Sequence, residues 1–174
     1  MALRPGRCYH HITQKPWTRI SIHAPPKSYV KGVPAGKIHQ FEVGNVKGKA
    51  NFPLAYSVVP TQDRQFRSNC LESARMIATK HLANNLGEQG FFFKVRKYPH
   101  HVLRENPLAT GAGADRFSQG MRQSWGKPIG SAARVLKGEK LLTAWVPAGK
   151  DAIVKEALHR ATAKLPGACK VILG

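Results

Sequence analysis

Acidic side chains are what this 174-residue sequence has least of: nine Asp and Glu stand against 28 Lys and Arg, a formal charge of +19. The nine are scattered, and two of them, Glu72 and Asp151, fall where helix caps are expected. General acid–base catalysis needs groups of matched pKa held beside the reacting atoms, so this supply argues against an enzyme. Cysteine is equally thin. Cys8, Cys70 and Cys169 are odd in number and far apart, which excludes a disulfide framework and suits a reducing compartment. Long apolar runs are missing as well. There is no uncharged stretch of membrane-spanning length, no signal-type apolar segment at the start and no terminal lipidation motif. The expectation is a soluble intracellular chain with no membrane partner.

What the sequence does have is positive charge, unevenly placed. Residues 1–50 hold nine Lys and Arg against Glu42 alone, whereas residues 151–174 hold four against Asp151 and Glu156. Self-repulsion of this size costs stability unless a polyanion neutralises it, and nucleic acid gains affinity by releasing counterions. Pro5, Pro16, Pro25, Pro26 and Pro34 forbid a long helix in residues 1–50. Tyr9, Trp17, Tyr29 and Phe41 are interleaved with the basic residues there. Such a segment cannot bury its own backbone, so it reads as an extended basic arm laid on a partner; the bland alternative is a solvated tail.

The remaining residues 51–174 read as one α+β domain with a protruding loop at about 105–118. PLAYSVVP, residues 53–60, is a strand bounded by prolines. A helix follows, with Asn69 as cap, Glu72 as its capping-box partner, and Leu71, Ala74, Ile77, Ala78 and Leu82 along one stripe; Gly87 stops it. GFFFKVRKY, residues 90–98, is rich in strand formers, and 100–107 is a connector. Residues 130–137 and 141–147 are expected to form a hairpin around Gly138. A second helix starts at Asp151, with Val154, Ala157, Leu158, Ala161 and Leu165 on its apolar face, and ACKVIL closes the chain as a strand. Without a repeating βαβ period, this order implies a two-layer sandwich, a mainly antiparallel sheet with both helices on one face.

The loop ATGAGADRFSQGMRQ, residues 109–123, fits no nucleotide-binding motif. Gly111 and Gly113 could open a dinucleotide fingerprint, but Arg116 stands where the third glycine belongs, and no strand leads directly in. Gly120 and Gly126 are separated by five residues where a P-loop has four, and Lys127 precedes Pro128, so a phosphate-binding P-loop fails too. Asp115, the loop's lone acid, is expected to bond its own backbone or a neighbouring arginine. Cys8, His10 and His11, with His100 and His101, tempt a zinc reading, but they lack regular ligand spacing. No metal and no cofactor is expected. Small residues with flanking arginines instead suit close approach to a crowded partner.

GRCYHHI, KPWTR, KGVPAGKIHQFEVGN, SNCLESARMIATKHL and the long run VRKYPHHVLRENPLATGAGADRFSQGMRQSWGKPIGSAARVLKGEKLLTA resemble the large-subunit ribosomal protein sixteen family, in its archaeal and eukaryotic "ten-e" branch. The resemblance covers nearly the whole chain. There are three departures: Trp17 stands for the usual tyrosine, Gln123-Ser124-Trp125 for the usual Gly-Ala-Phe, and residues 20–30 form a longer link than usual.

The resemblance implies a non-enzymatic constituent of the large subunit, cytoplasmic in the ribosome. Its partners would be large-subunit ribosomal RNA, with a place close to 5S RNA, together with tRNA and neighbouring ribosomal proteins. It also implies a hammerhead-like strand arrangement. The rRNA-binding candidates are Arg4, Arg7, Tyr9, Lys15, Trp17, Arg19, Lys31, Lys37, Lys47, Lys49, Arg64, Arg67, Arg122 and Lys127. Thr110, Gly111, Ala112, Gly113, Ala114, Asp115 and Arg116 would point toward the peptidyl transferase centre and the tRNA ends. A free-standing RNA-binding assembly factor is the alternative function.

Overall fold

A computed structural model describes residues 3–18, 30 and 32–174. Arg19, Lys31 and most of the 20–30 link lie outside the described residues. The described chain contains eight strands and two α-helices: β1 (Glu42–Gly44), β2 (Leu54–Pro60), β3 (Arg64–Arg67), α1 (Ser68–Leu86), β4 (Phe92–Val95), β5 (His101–Glu105), β6 (Lys127–Val135), β7 (Leu142–Val146), α2 (Asp151–Thr162) and β8 (Cys169–Leu173). Contacts between residues divide the chain into two units, one drawn from residues 1–35 and 100–131, the other from residues 36–99 and 132–174.

The second unit holds the sandwich. Its five-stranded sheet has the order β1-β4-β7-β2-β8, with every pair antiparallel. β7 lies in the middle, and all five of its residues are buried. Central strands are apolar on both faces, so LTAWV shows no clean alternation. On one face, Tyr56, Val58, Phe93, Val95, Leu142, Ala144 and Val146 join one core cluster with residues of both helices. Leu71, Ala74, Ala78 and Leu82 of α1 and Val154, Ala157, Leu158 and Ala161 of α2 are fully buried there. Their three- and four-residue spacing is the reason these segments are helical, since each stripe has one apolar surface to cover. The α+β sandwich with both helices on one face is the observed fold. On the other face Ser57 and Thr143, both buried, pair their hydroxyls at 3.0 Å.

Several local expectations are corrected. β6 and β7 do not form a hairpin: residues 132–135 of β6 pair with β3, while β7 pairs with β2 and β4. The turn between them diverts the chain to another sheet. Glu139 accepts from the Leu136 N–H at 2.8 Å, Asp63 accepts from the Lys137 N–H at 2.7 Å, and the Leu141 N–H reaches the Val58 carbonyl at 2.9 Å. α1 has no capping box. Arg67 is its N-cap and makes no side-chain cap bond. Glu72 instead accepts two bonds from Arg75, at 2.5 and 2.8 Å, because a bidentate charged pair outweighs one bond to a neutral backbone N–H. α2 is capped at Lys150, and Asp151 is its first helical residue, where its carboxylate accepts the Tyr56 hydroxyl. Gly87 does terminate α1, with φ +73°. Glu42–Gly44, inside the segment expected to be an extended arm, is a sheet strand paired with Phe92–Lys94.

β5 is hydrogen-bonded to β6. The connector expected at 100–107 is therefore mostly strand. Its partner residues come from far along the chain, which is why a local pattern did not show it.

Candidate nucleic-acid interface

The backbone of Trp17 is fastened to β5. The Trp17 N–H donates to Nδ1 of His101 at 2.9 Å, and the Val102 N–H donates to the Trp17 carbonyl at 2.8 Å. His101 is wholly buried. That anchoring presents the Trp17 ring to two neighbours. His10 stacks on it with centroids 4.1 Å apart and planes at 26°, and His10 Nε2 donates to the Lys15 carbonyl at 3.0 Å, fixing the ring. The Arg104 guanidinium carbon lies 3.6 Å from the Trp17 ring centre and 3.2 Å from that of Trp125. The two indoles are tilted by 49°, with centroids 5.4 Å apart. Arg104 thus fills a wedge between them and also donates to the Trp125 carbonyl. Burial holds its guanidinium below the usual arginine range, and its Nε is buried with no hydrogen-bond partner among the described residues. An arginine over an indole is attracted by the ring quadrupole, the more so when desolvated.

Two further contacts close this arrangement. The Tyr9 hydroxyl donates to Glu105, and Arg4 approaches the same carboxylate at 3.6 Å. After Trp125 the chain runs against the β5 end, where a Cβ on Gly126 would collide with the Glu105 carbonyl and the Asn106 nitrogen, and Gly126 has φ +72°. Only glycine fits both demands. Beside the stack lies a cavity of 180 Å³, lined among others by Cys8, Tyr9, Arg104, Asn106 and Ser124.

The 109–123 loop keeps its backbone turned on itself. Gly113, left-handed at φ +75°, opens a short 3-10 turn over Ala114–Arg116. The Ser118 hydroxyl donates to the Ala114 carbonyl at 3.2 Å. None of its residues is buried, and Phe117 is 85% exposed. A Cβ at Gly111 or Gly113 would meet nothing within 4 Å, so packing inside the chain does not require glycine there. Asp115 makes no ion pair or side-chain hydrogen bond among the described residues, against the expectation that it bonds its backbone or an arginine.

The basic candidates divide by environment. Arg7, Lys15, Lys37, Lys47, Arg116, Arg122 and Lys127 are exposed. Lys49 is exposed too, but its ammonium lies 4.7 Å from the Trp145 ring centre. Arg64 is half-buried, donates to Gln62 at 3.0 Å and packs beside Gly167. Arg67 is half-buried at the head of α1, where its carbonyl accepts the Cys70 thiol at 2.9 Å. Arg4, Tyr9 and Trp17 are brought together on β5. Sequence reasoning did not single out Arg104, His10, His101 or Trp125 as members of one cluster. A tryptophan in a Gln-Ser-Trp-Gly turn was the available signal, since an indole is seldom left in a polar loop without a partner. The tempting Cys8, His10 and His11 go separate ways: His10 is in the stack and His11 Nδ1 bonds Thr13 at 2.9 Å. Among the described residues no three His, Cys, Asp or Glu side chains gather as a metal-ligand set.

Comparison with known proteins decides the family. The model for "Ribosomal protein L16p/L10e" matches residues 14–172. The chain belongs to the ribosomal protein L16p/L10e family. Three relatives carry the name large ribosomal subunit protein uL16. The one from Methanococcus aeolicus is 44% identical, covering 100% of this chain and 95% of the relative. The one from Staphylothermus marinus is 45% identical over 99% and 94%, and that from Archaeoglobus fulgidus 40% over 99% and 94%. As an L16p/L10e member the chain is a ribosomal protein and not an enzyme. No helix among the described residues is long and apolar enough to cross a membrane.

Proposed function

We propose that this chain is a constituent of the large ribosomal subunit that binds ribosomal RNA, close to the 5S RNA and to neighbouring ribosomal proteins. Through the 109–116 loop it helps organise tRNA near the peptidyl transferase centre. Residues 1–50 act as the basic RNA-binding arm, whose Glu42–Gly44 stretch also joins the sheet, and residues 51–174 as the domain that carries the loop. The observation behind this reading is the exposed loop itself: small residues, no buried side chain, and Arg116 beside its tip, on a chain of charge +19. The exposed Arg7, Lys15, Lys37, Lys47, Arg122 and Lys127 are the phosphate contacts this reading assigns.

Ala112 gives the sharpest test, because it is not a left-handed glycine whose replacement would strain the chain by itself. Ala112→Leu and deletion of residues 110–116 are each assembled into large subunits and assayed for tRNA affinity and peptide synthesis. Both variants are expected to fold normally yet impair one or both readouts. Normal tRNA affinity and synthesis from either variant would return the loop to a passive connector. Sedimentation with precursor particles but not with mature subunits would favour the assembly-factor alternative.

A further inference from the structure

The ring stack is built layer on layer, and it is unfinished. His10 stacks on Trp17, and Arg104 lies over both Trp17 and Trp125. Trp125 is the last layer, and it is 58% exposed. We infer that the open face of Trp125 stacks an unpaired nucleobase of the large-subunit RNA. The inference rests on the RNA-binding reading above and names one contact within it.

Three observations select a base over an apolar protein surface. The indole is held by Arg104 and by the Gly126 passage against Glu105, so a stacked base meets a platform that is already ordered. Charge along its own segment has one sign: from Arg116 to Gly138 there is no Asp or Glu, while Arg122 and Lys127 are exposed within three residues of Trp125, and the nearby Glu105 carboxylate is already engaged by Tyr9 and Arg4. Neither Arg122 nor Lys127 has an ion-pair partner among the described residues. They can meet the phosphates on either side of the stacked nucleotide, while every base offers a π-face to the indole. Asn106 and Ser124, which line the adjoining cavity, supply donors and acceptors at the edge of that base.

The test uses the full chain and large-subunit ribosomal RNA transcribed in vitro. Ultraviolet cross-linking followed by mass spectrometry of the digest is expected to show a nucleotide adduct on Trp125. Trp125→Ala is expected to bind the RNA about tenfold more weakly, and Trp125→Phe within about twofold of the parent, as a lost and a kept stacking surface predict. The salt slope should stay the same in both, because no phosphate contact is removed; Trp125→Ala should melt somewhat earlier through loss of the Arg104 contact, whereas Trp125→Phe keeps that contact and separates stacking from stability. The inference is overturned if Trp125→Ala binds as the parent does, if Phe does not rescue, or if assembled subunits yield a Trp125 cross-link to a protein and not to RNA. Retained RNA binding in those cases leaves the proposed function standing. A parent chain that binds this RNA without salt sensitivity overturns that function, and the stacked base with it.

Discussion

In the unit of residues 36–99 and 132–174 the described side chains bury one large apolar cluster, whereas in the unit drawn from residues 1–35 and 100–131 the described residues add to the buried Val30, Val102 and Leu103 a stack of rings around Arg104 and the Glu105 carboxylate. In the first, Phe66, Leu71, Leu82, Phe93, Leu142 and Leu158 are fully buried, and each contributes on the order of 1.5–3 kcal/mol by leaving water. In the second, the Trp17 backbone is bonded to β5, and Trp125, Phe117 and Met121 stay largely in solvent. The same chain therefore contains a core that stabilises itself and a surface whose exposed rings gain most from a partner.

The contrast can be broken at four places. The largest effect is expected from Phe66→Ala, which empties a wholly buried site and should cost about 4 kcal/mol, read as the shift in a denaturant midpoint at unchanged slope. Arg104→Ala removes the middle of the ring stack and should cost about 2 kcal/mol. Hydrogen exchange should rise at residues 101–104 and stay constant in α1. Faster exchange in α1 as well would mean that the two regions melt as one.

Glu72→Gln should cost about 1–2 kcal/mol at neutral pH, because it weakens a charged hydrogen-bonded pair. Bonding to Arg75 lowers the Glu72 pKa from 4.5. Its stabilisation is therefore present above pH 4.5 and is lost as pH falls through the lowered native value. The parent's midpoint should drop in that acid window, and the glutamine variant should show a smaller drop. The smallest effect on stability belongs to deletion of residues 110–116. Shortening a flexible loop changes closure entropy by only about 0.5 kcal/mol, so its melting temperature should stay near the parent's.

Binding gives a companion measurement. If roughly six to ten phosphates are engaged, affinity should fall by about three to five decades between about 50 and 200 mM salt on duplex-DNA figures, and by less on folded RNA. A flat response would count against the basic residues as the interface.

The sequence was legible where a pattern is local. The stripes Leu71-Ala74-Ala78-Leu82 and Val154-Ala157-Leu158-Ala161 announce α1 and α2, and these residues are buried as expected, whereas Ile77, also expected on the α1 stripe, is half-buried at its edge. β2, β4 and β8 could be read as strands from their composition, with their ends trimmed in the structure. The cap of α1 was misread because Asn69 and Glu72 satisfy a spacing rule that takes no account of Arg75, whose guanidinium competes for the same carboxylate. The hairpin was misread because Gly138 marks a turn and turn chemistry does not name the strand beyond it. β5 was missed because Trp17, which meets it, is 84 positions away from His101.

By itself the sequence determined the helices, the excess of positive charge, the family and the place of the exposed glycine–alanine loop. Each of these is written in neighbouring residues or in composition, and each survives any rearrangement of distant parts. The tertiary structure alone decided which sheet received β6 and β7, and that His10, Trp17, Arg104 and Trp125 form one stack. Hydrogen bonds between strands and contacts between rings join residues far apart in the chain, so no local period can carry them. Their geometry exists only once burial of the apolar faces has set where each backbone segment runs.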